Sequence, residues 1–384
     1  MKGYYNMARK TKNKQITNNS NKEITVGIPA YKASGHIEQC LASVYIQTIV
    51  EKIAVIIAAD SPDDDYQYLK QLYPTLDITI LPCTENTGPG LARQRCLDAC
   101  NTEWITFIDA DDVFYSPFSI ETLKSGTIEN VIEVQGTFLQ EITGVPEVRA
   151  MPMNNAGLPW VFGKLYNVPF LRQHEIGFTS LRAMEDGELN WKINLTVEGS
   201  QWQIAFLDDP VYLWRTGSEH SITRIGADEE DGIPQYNFDL CQWGATEAAI
   251  GAIKFCKKKN PFNGNIIKFT VERMIDHYFT YIECVEKKPI FAEQNFFNAK
   301  KFYHECFAKV EGDIDEKILK EMYTVIRMNN GENLINVIPC ITFNDFMEKI
   351  KNEEYGGDDE FKQIRSRLPQ YIIDNDIKTG VATF

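Results

Sequence analysis

The chain has 384 residues, 43% of them apolar, and a net charge of −15 at pH 7. That is core material for one large domain or two ordinary ones. Acidity of this size excludes a general attraction to nucleic acid or anionic lipid, and the lack of any run of about 18 apolar residues predicts no membrane span.

Residues 1–22 hold six Lys or Arg and no acid, a composition that predicts a flexible basic tail. Ile24–Pro29 (ITVGIP) reads as a first strand running into the turn Ala30-Tyr31-Lys32. His36 to Gln47 carries Ile37, Leu41, Val44 and Tyr45 at helical spacing. Ile53–Ala59 (IAVIIAA) is a second, fully buried strand ending in Asp60-Ser61-Pro62-Asp63. A helix through Tyr66, Leu69 and Leu72 follows, then a strand at Ile78–Leu81, then Asn86-Thr87-Gly88-Pro89-Gly90 and a helix over Leu91–Ala99. Cys96 and Cys100 lie four apart, where a helix would put them on one face; with no histidine nearby this is packing rather than a metal site. The nine cysteines are odd in number and lack CxxC pairs. With no apolar signal-peptide core at the N-terminus, they point to a reducing cytoplasm.

Next comes Trp104–Phe114, WITFIDADDVF. An apolar strand-like run breaks off into Asp109, Asp111 and Asp112. Strand and helix have now alternated four times at short spacing, which predicts a mostly parallel α/β sheet with right-handed crossovers. Tyr31, Asp60, Asn86 and Asp109/Asp111 all follow strands. They therefore fall along the carboxyl edge of the sheet, where open α/β folds bind ligands. Neither GxGxxG nor GxxxxGK[ST] occurs, so a dinucleotide site and a P-loop are disfavoured. Crowded carboxylates suit Mn²⁺ or Mg²⁺, the latter commonly shared with phosphates. The plainer reading of the same residues is an acidic turn capping a short helix.

GIPAYKASGHIEQCLASVYIQ, AADSPDD and NTGPGLARQRCLDACNTEWITFIDADD, in this order, resemble the GT-A-fold family-2 glycosyltransferases. PWVFGKLYNVPFLRQHEIGF, MEDGELNWK and LDDPVYLWRTGSEHSITR extend the resemblance to about residue 225. It implies a GT-A fold, Rossmann-like, with a mostly parallel sheet flanked by helices. It also implies transfer of one sugar from a nucleotide donor, UDP-linked, to an acceptor hydroxyl, with a divalent cation and inversion at the anomeric carbon. Asp111 becomes the principal metal ligand, and Asp109 contacts the ribose or a metal-bound water. Pro29 and Tyr31 line the uracil pocket. The family carries two aspartates and a glycine before the serine after the second strand, whereas this chain has Ala58-Ala59-Asp60-Ser61. Asp60 is taken as the surviving nucleotide-contacting carboxylate.

Arg93 faces donor phosphate or base, or else pairs with a nearby acid. Lys164 and Trp160 frame the acceptor side of the donor pocket, with core packing the rival for Trp160. Arg215 and His220 reach the pyrophosphate or complete the metal shell, although a loop histidine needs no such role. Asp186 of the pair Glu185-Asp186 is the candidate general base that takes the acceptor proton. Its rival role is to N-cap the helix over Glu188–Asn194.

After Gly226 the pattern changes. Asp228–Gly232 reads as an acidic linker. Tyr236–Cys256, Ile266–Val285, Phe296–Val310 and Ile318–Arg327 carry helical spacing. Residues 23–225 thus form a glycosyltransferase domain and 226–384 a mostly helical domain without a chemical motif, able to bind acceptor or to make a homo-oligomer. The acceptor is open: a glycan, a lipid carrier, a protein or a modified nucleobase. Two rival functions stand. A nucleotidyltransferase forming the donor would need a Gly-rich, Lys/Arg-bearing loop where this chain has AYKASG. An inactive nucleotide-sugar-binding module would not need Asp109, Asp111 and Asp186.

Overall fold

The computed structural model describes residues 21–141, 148–151, 160–215, 229–230, 233–234, 238–259, 264–287, 291–329, 342–353 and 355–357. The basic tail up to residue 20, most of the acidic stretch 226–232, the expected domain boundary and His220 lie outside the described residues.

Four strands, each entering from a short crossover, build the first half of the sheet: β1 (Ile24–Ala30), β2 (Ile53–Ala59), β3 (Asp77–Leu81) and β4 (Trp104–Phe107). They pair in parallel in the order β3-β2-β1-β4. Their alternation with α1 (Ile37–Tyr45), α2 (Leu69–Leu72) and α3 (Pro89–Ala99) follows the expectation closely. β1 and β2 are buried almost throughout, as strands covered by helices on both faces must be.

The second half has a different construction. After β5 (Val113–Phe114) and α4 (Ser119–Ser125), the long strand β6 (Val131–Glu141) leads through β7 (Val148–Met151) to β8 (Lys164–Asn167). β8 runs antiparallel to both β4 and β6. β9 (Gln203–Arg215) then pairs in parallel with β6, with register irregularities, and antiparallel with β5. The complete order is β3-β2-β1-β4-β8-β6-β9-β5.

Two helices follow β8: α5 (Val168–Gln173) and α6 (Glu185–Val197). Beyond β9 come α7 (Phe238–Lys259), α8 (Gly264–Lys287), α9 (Ala292–Glu305), α10 (Glu316–Asn329) and α11 (Phe343–Asn352). α6 is the shared wall between the two regions. Leu189 and Ile193 pack with the sheet-side cluster around Phe107, Tyr166 and Phe178. Trp191 and Leu195 pack with Ile253, Tyr278 and Phe302 of the C-terminal helices. The helical region therefore shares a core with the sheet domain. No helix among the described residues is long and apolar enough to cross a membrane.

Candidate active site

The carboxyl ends of the parallel strands gather the polar residues. Asp109, part-exposed, and Asp111, also part-exposed, sit in the turn that leaves β4. Asp112 is buried and accepts from the Tyr212 hydroxyl (2.5 Å) and the Arg215 backbone N–H (2.7 Å). Burial, then the neighbouring Asp111 and Asp109, raises its pKa well above the usual carboxylate range. Tyr212 is also the acceptor for the Asp109 backbone N–H (3.3 Å). β9 thus clamps the acidic turn from the far side of the sheet. Beneath it lie packed aromatic rings, with Phe162 stacked on Tyr212 at 4.7 Å and on Trp160 at 5.5 Å. Trp160 belongs to this cluster and is part-buried.

Arg93 connects this turn to the second carboxylate pair. It lies on α3, buried, and donates to Asp109 (2.7 Å) and to Glu185 at the start of α6. Burial works against its charge, but Asp109, Glu185 and Asp186 outweigh it and raise its pKa. The close approach of α3 to α6 depends on Gly90: a Cβ there would meet the Thr179 carbonyl oxygen at 2.2 Å and Glu185 side-chain carbon at 3.1 Å. Gly88, at the N-cap of α3, has φ of +87°, a conformation that favours glycine.

α6 begins at Glu185, with Met184 as N-cap in the left-handed region and no side-chain cap hydrogen bond. Asp186 is therefore not the N-cap. It lies inside the first turn, part-exposed, accepting from the N–H of Gly187 (2.8 Å). Burial, reinforced by the neighbouring Glu185 carboxylate, pushes its pKa up to about 7. A carboxylate tuned to that value is matched to proton abstraction near neutrality.

The remaining expected site residues are distributed unevenly. Tyr31 is exposed and Pro29 part-buried at the end of β1. Asp60 is buried, and its oxygens accept from Thr87 (backbone 2.9 Å, hydroxyl 2.7 Å) and the Gly88 N–H (2.8 Å). It binds the loop before α3 to the end of β2, with Arg95 at 3.6 Å. Arg215 donates to Gln39 at 2.5 Å. Lys164 is not at the donor face: its ammonium is fully buried, 3.3 Å from Glu133 and 3.0 Å from the Asn190 carbonyl oxygen. β8 places it on the inner side of the sheet, away from solvent. Glu185, Tyr212, Glu133 and Asn190 complete the surroundings. Of these, Glu133 leaves a trace in the sequence as a carboxylate inside the apolar run VIEVQ.

The donor set bears on a cation. Among the described residues no group of three or more His, Cys, Asp or Glu side chains forms a ready cage. Asp112 is committed to Tyr212 and Arg215, and one oxygen of Asp109 to Arg93. Asp109 and Asp111 are both part-exposed in the turn that leaves β4. That set fits an ion that takes its other ligands from water and substrate phosphates, as Mg²⁺ and Mn²⁺ do.

Residues 25–125 match the sequence model of glycosyl transferase family 2. The chain carries a family-2 glycosyltransferase domain of GT-A fold. The matched stretch contains Asp60, Arg93, Asp109 and Asp111 and stops short of Asp186. Among curated relatives, the poly(ribitol-phosphate) beta-glucosyltransferase of Bacillus spizizenii is 26% identical over 252 residues, 60% of this chain and 37% of its own length. Glycosyltransferase GlyA of Streptococcus pneumoniae is 24% identical, over 53% of this chain and 32% of its own. The chain thus spans about a third of the length of these relatives. In fold it is similar to residues 1–349 of S. aureus TarS, solved in complex with UDP-GlcNAc. The TM-score is 0.61 at 15% identity, covering 87% of this chain and 93% of that one.

Proposed function

We propose that this protein is a metal-dependent, inverting glycosyltransferase that moves one sugar from a UDP-linked donor to an acceptor hydroxyl. The observation that carries the reading is the buried Arg93 bridge, which joins the acidic turn at Asp109 to the Glu185-Asp186 pair. It brings a candidate donor and metal element and a candidate base into one site. The UDP-GlcNAc bound to TarS and the name of the B. spizizenii relative support a nucleotide-sugar donor.

Asp111 and Asp109 would hold Mn²⁺ or Mg²⁺, which when bound neutralises charge on the departing diphosphate. Tyr31 and Pro29, on the same strand end, would flank the base, with Tyr31 offering a ring face. Asp60 shapes the neighbouring loop through Thr87 and Gly88. Asp186 would accept the acceptor's hydroxyl proton as that oxygen attacks the anomeric carbon. Attack from the face opposite the leaving diphosphate gives inversion in one displacement. The acceptor-side surface would be assembled from α6 and the helices packed on it.

A panel of UDP- and GDP-sugars with Mn²⁺ tests the reading, read by thermal shift and then by release of free sugar to water. UDP-sugar stabilisation that requires Mn²⁺, with slow hydrolysis, is the expected result. Stabilisation without any hydrolysis or transfer would favour a binding module. Pyrophosphate release from UTP and a sugar phosphate would favour a nucleotidyltransferase.

A further inference from the structure

Behind Asp186 lies a buried polar network that the proposed chemistry does not use directly. Asn190 stands one helical turn after Asp186 on α6 and is 1% exposed. Its amide nitrogen donates to the backbone carbonyl of Asp186 (2.9 Å) and to that of Trp160 (3.2 Å). Its carbonyl oxygen accepts from Lys164 Nζ (3.0 Å) and from the Tyr166 hydroxyl (3.1 Å). All four hydrogen-bonding capacities of the amide are filled. Lys164 is anchored in turn by Glu133 at 3.3 Å, and Glu133 accepts from Gln135 at 2.5 Å. Lys164, Glu133, Gln135 and Tyr166 are each no more than 1% exposed.

We infer that Lys164 and Asn190 are positioning residues that tether the first turn of α6 to strands β6 and β8, thereby fixing the direction of the Asp186 carboxylate. This rests on the proposed role of Asp186. A buried ion pair is a poor device for stability, because apolar residues of equal volume serve as well or better. It is a good device for holding one geometry, since each charge tolerates few alternative arrangements. Three elements meet in this one: β6 through Glu133 and Gln135, β8 through Lys164 and Tyr166, and α6 through Asn190. Without the tether, the turn that carries Asp186 would rest on its own helix hydrogen bonds and on Arg93 bound to Glu185. The charged groups facing Asp186 are Glu185 on its own helix, Arg93 from α3, Asp109 from the end of β4 and Lys164 from β8.

The test uses the full chain with UDP-glucose and UDP-N-acetylglucosamine in Mn²⁺, following sugar release. The double variant K164M/E133Q removes the ion pair from the tether without stranding a buried charge. Displacing a reacting group by about an ångström costs on the order of a hundredfold in rate. The expected result is a kcat lower by about tenfold or more, with donor KM within about twofold. The pH midpoint is read in Tyr166→Phe, which keeps the Lys164 charge in place, and should move down toward the ordinary aspartate value as the carboxylate gains water. A kcat within about twofold of wild type, whatever the melting temperature, overturns the inference. If the double variant does not fold, Tyr166→Phe removes one bond to Asn190 and leaves no charge behind. Its kcat should fall by about threefold or more at constant donor KM, and an unchanged kcat overturns the inference. Should wild type release no sugar at all, the proposed function fails first. The tether is then read by carboxyl ¹³C NMR of Asp186, where an unmoved titration midpoint in Tyr166→Phe, which keeps the Lys164 charge, overturns it.

Discussion

The two halves of the sheet are built on different principles. β3-β2-β1-β4 is a run of parallel strands, each linked to the next by a short local crossover. β8-β6-β9-β5 mixes directions, and β6 meets β9 some seventy residues later in the chain. The first half holds Tyr31, Asp60 and the turn at Asp109, and it matches the family. The second half, with α6, supplies the partners that orient this turn and the candidate base. Local repetition provides the proposed donor cradle, and long-range pairing provides the clamps around it. Arg93 and Tyr212 are two of the side chains that cross between them at the acidic turn.

Breaking the comparison at its tightest point should give the largest effect. Arg93→Met leaves Asp109 and Glu185 facing each other around a buried, uncompensated Glu185. Removing one partner from a buried ion pair costs about 3–5 kcal/mol. A chemical-denaturation midpoint should fall accordingly. A loss below about 1 kcal/mol, the range of exposed ion pairs, would mean that the two halves are not held together here.

Asp186→Asn tests the base on the second half alone. General-base contributions run to about a hundredfold or more, so turnover should drop by at least about two orders of magnitude, with donor affinity preserved. In wild type, activity should rise with pH through about 7, as Asp186 loses its proton. The Asn variant should lose that rise. The sign for stability follows from the same shift. The folded state holds the Asp186 proton more tightly than the unfolded chain, so stability falls as pH climbs from the ordinary aspartate range through about 7. Asn should therefore raise the melting temperature, relative to wild type, more at pH 8 than at pH 4. An equal difference at both values would show Asp186 to be an ordinary exposed carboxylate.

A smaller effect should come from the donor half. Asp111→Asn removes one charge from the proposed cation shell and should weaken Mn²⁺-dependent UDP binding by about tenfold, near 1.4 kcal/mol. Calorimetry with and without Mn²⁺ reads this directly, and unchanged affinity would take Asp111 out of the shell. The mildest change sharpens the clamp from β9. Tyr212→Phe deletes the hydroxyl shared by Asp112 and the Asp109 N–H. A net cost of about 0.5–1.5 kcal/mol in stability is expected, with a donor KM increase that Asp111→Asn should largely mask in the double variant.

Much of this was legible in the sequence for physical reasons. The alternation of apolar strands and helices over residues 24–107 is a local pattern, since β1, β2 and β4 are buried almost throughout and the edge strand β3 only in part. Four C-terminal helices followed from spacing in the same way, whereas α11 did not. Tyr31, Asp60, Asp109 and Asp111 could be set on the carboxyl edge because strand polarity alone dictates where strand ends open.

Only the tertiary structure decided the partners. Whether Arg93 faces ligand or carboxylate depends on α3 and α6 approaching across 92 residues of sequence, which Gly90 permits. Lys164 is expected from the sequence to frame the donor pocket, yet β8 turns it inward to Glu133 and Asn190. By itself the sequence favours Asp186 as a cap and only the family resemblance makes it a base; the helix starts one residue before it, with Met184 as N-cap, which removes the cap reading. Composition and spacing determine which residues are buried and where strands end. The pairing of buried charges is set by contacts between segments far apart in the chain, and local pattern carries no record of them.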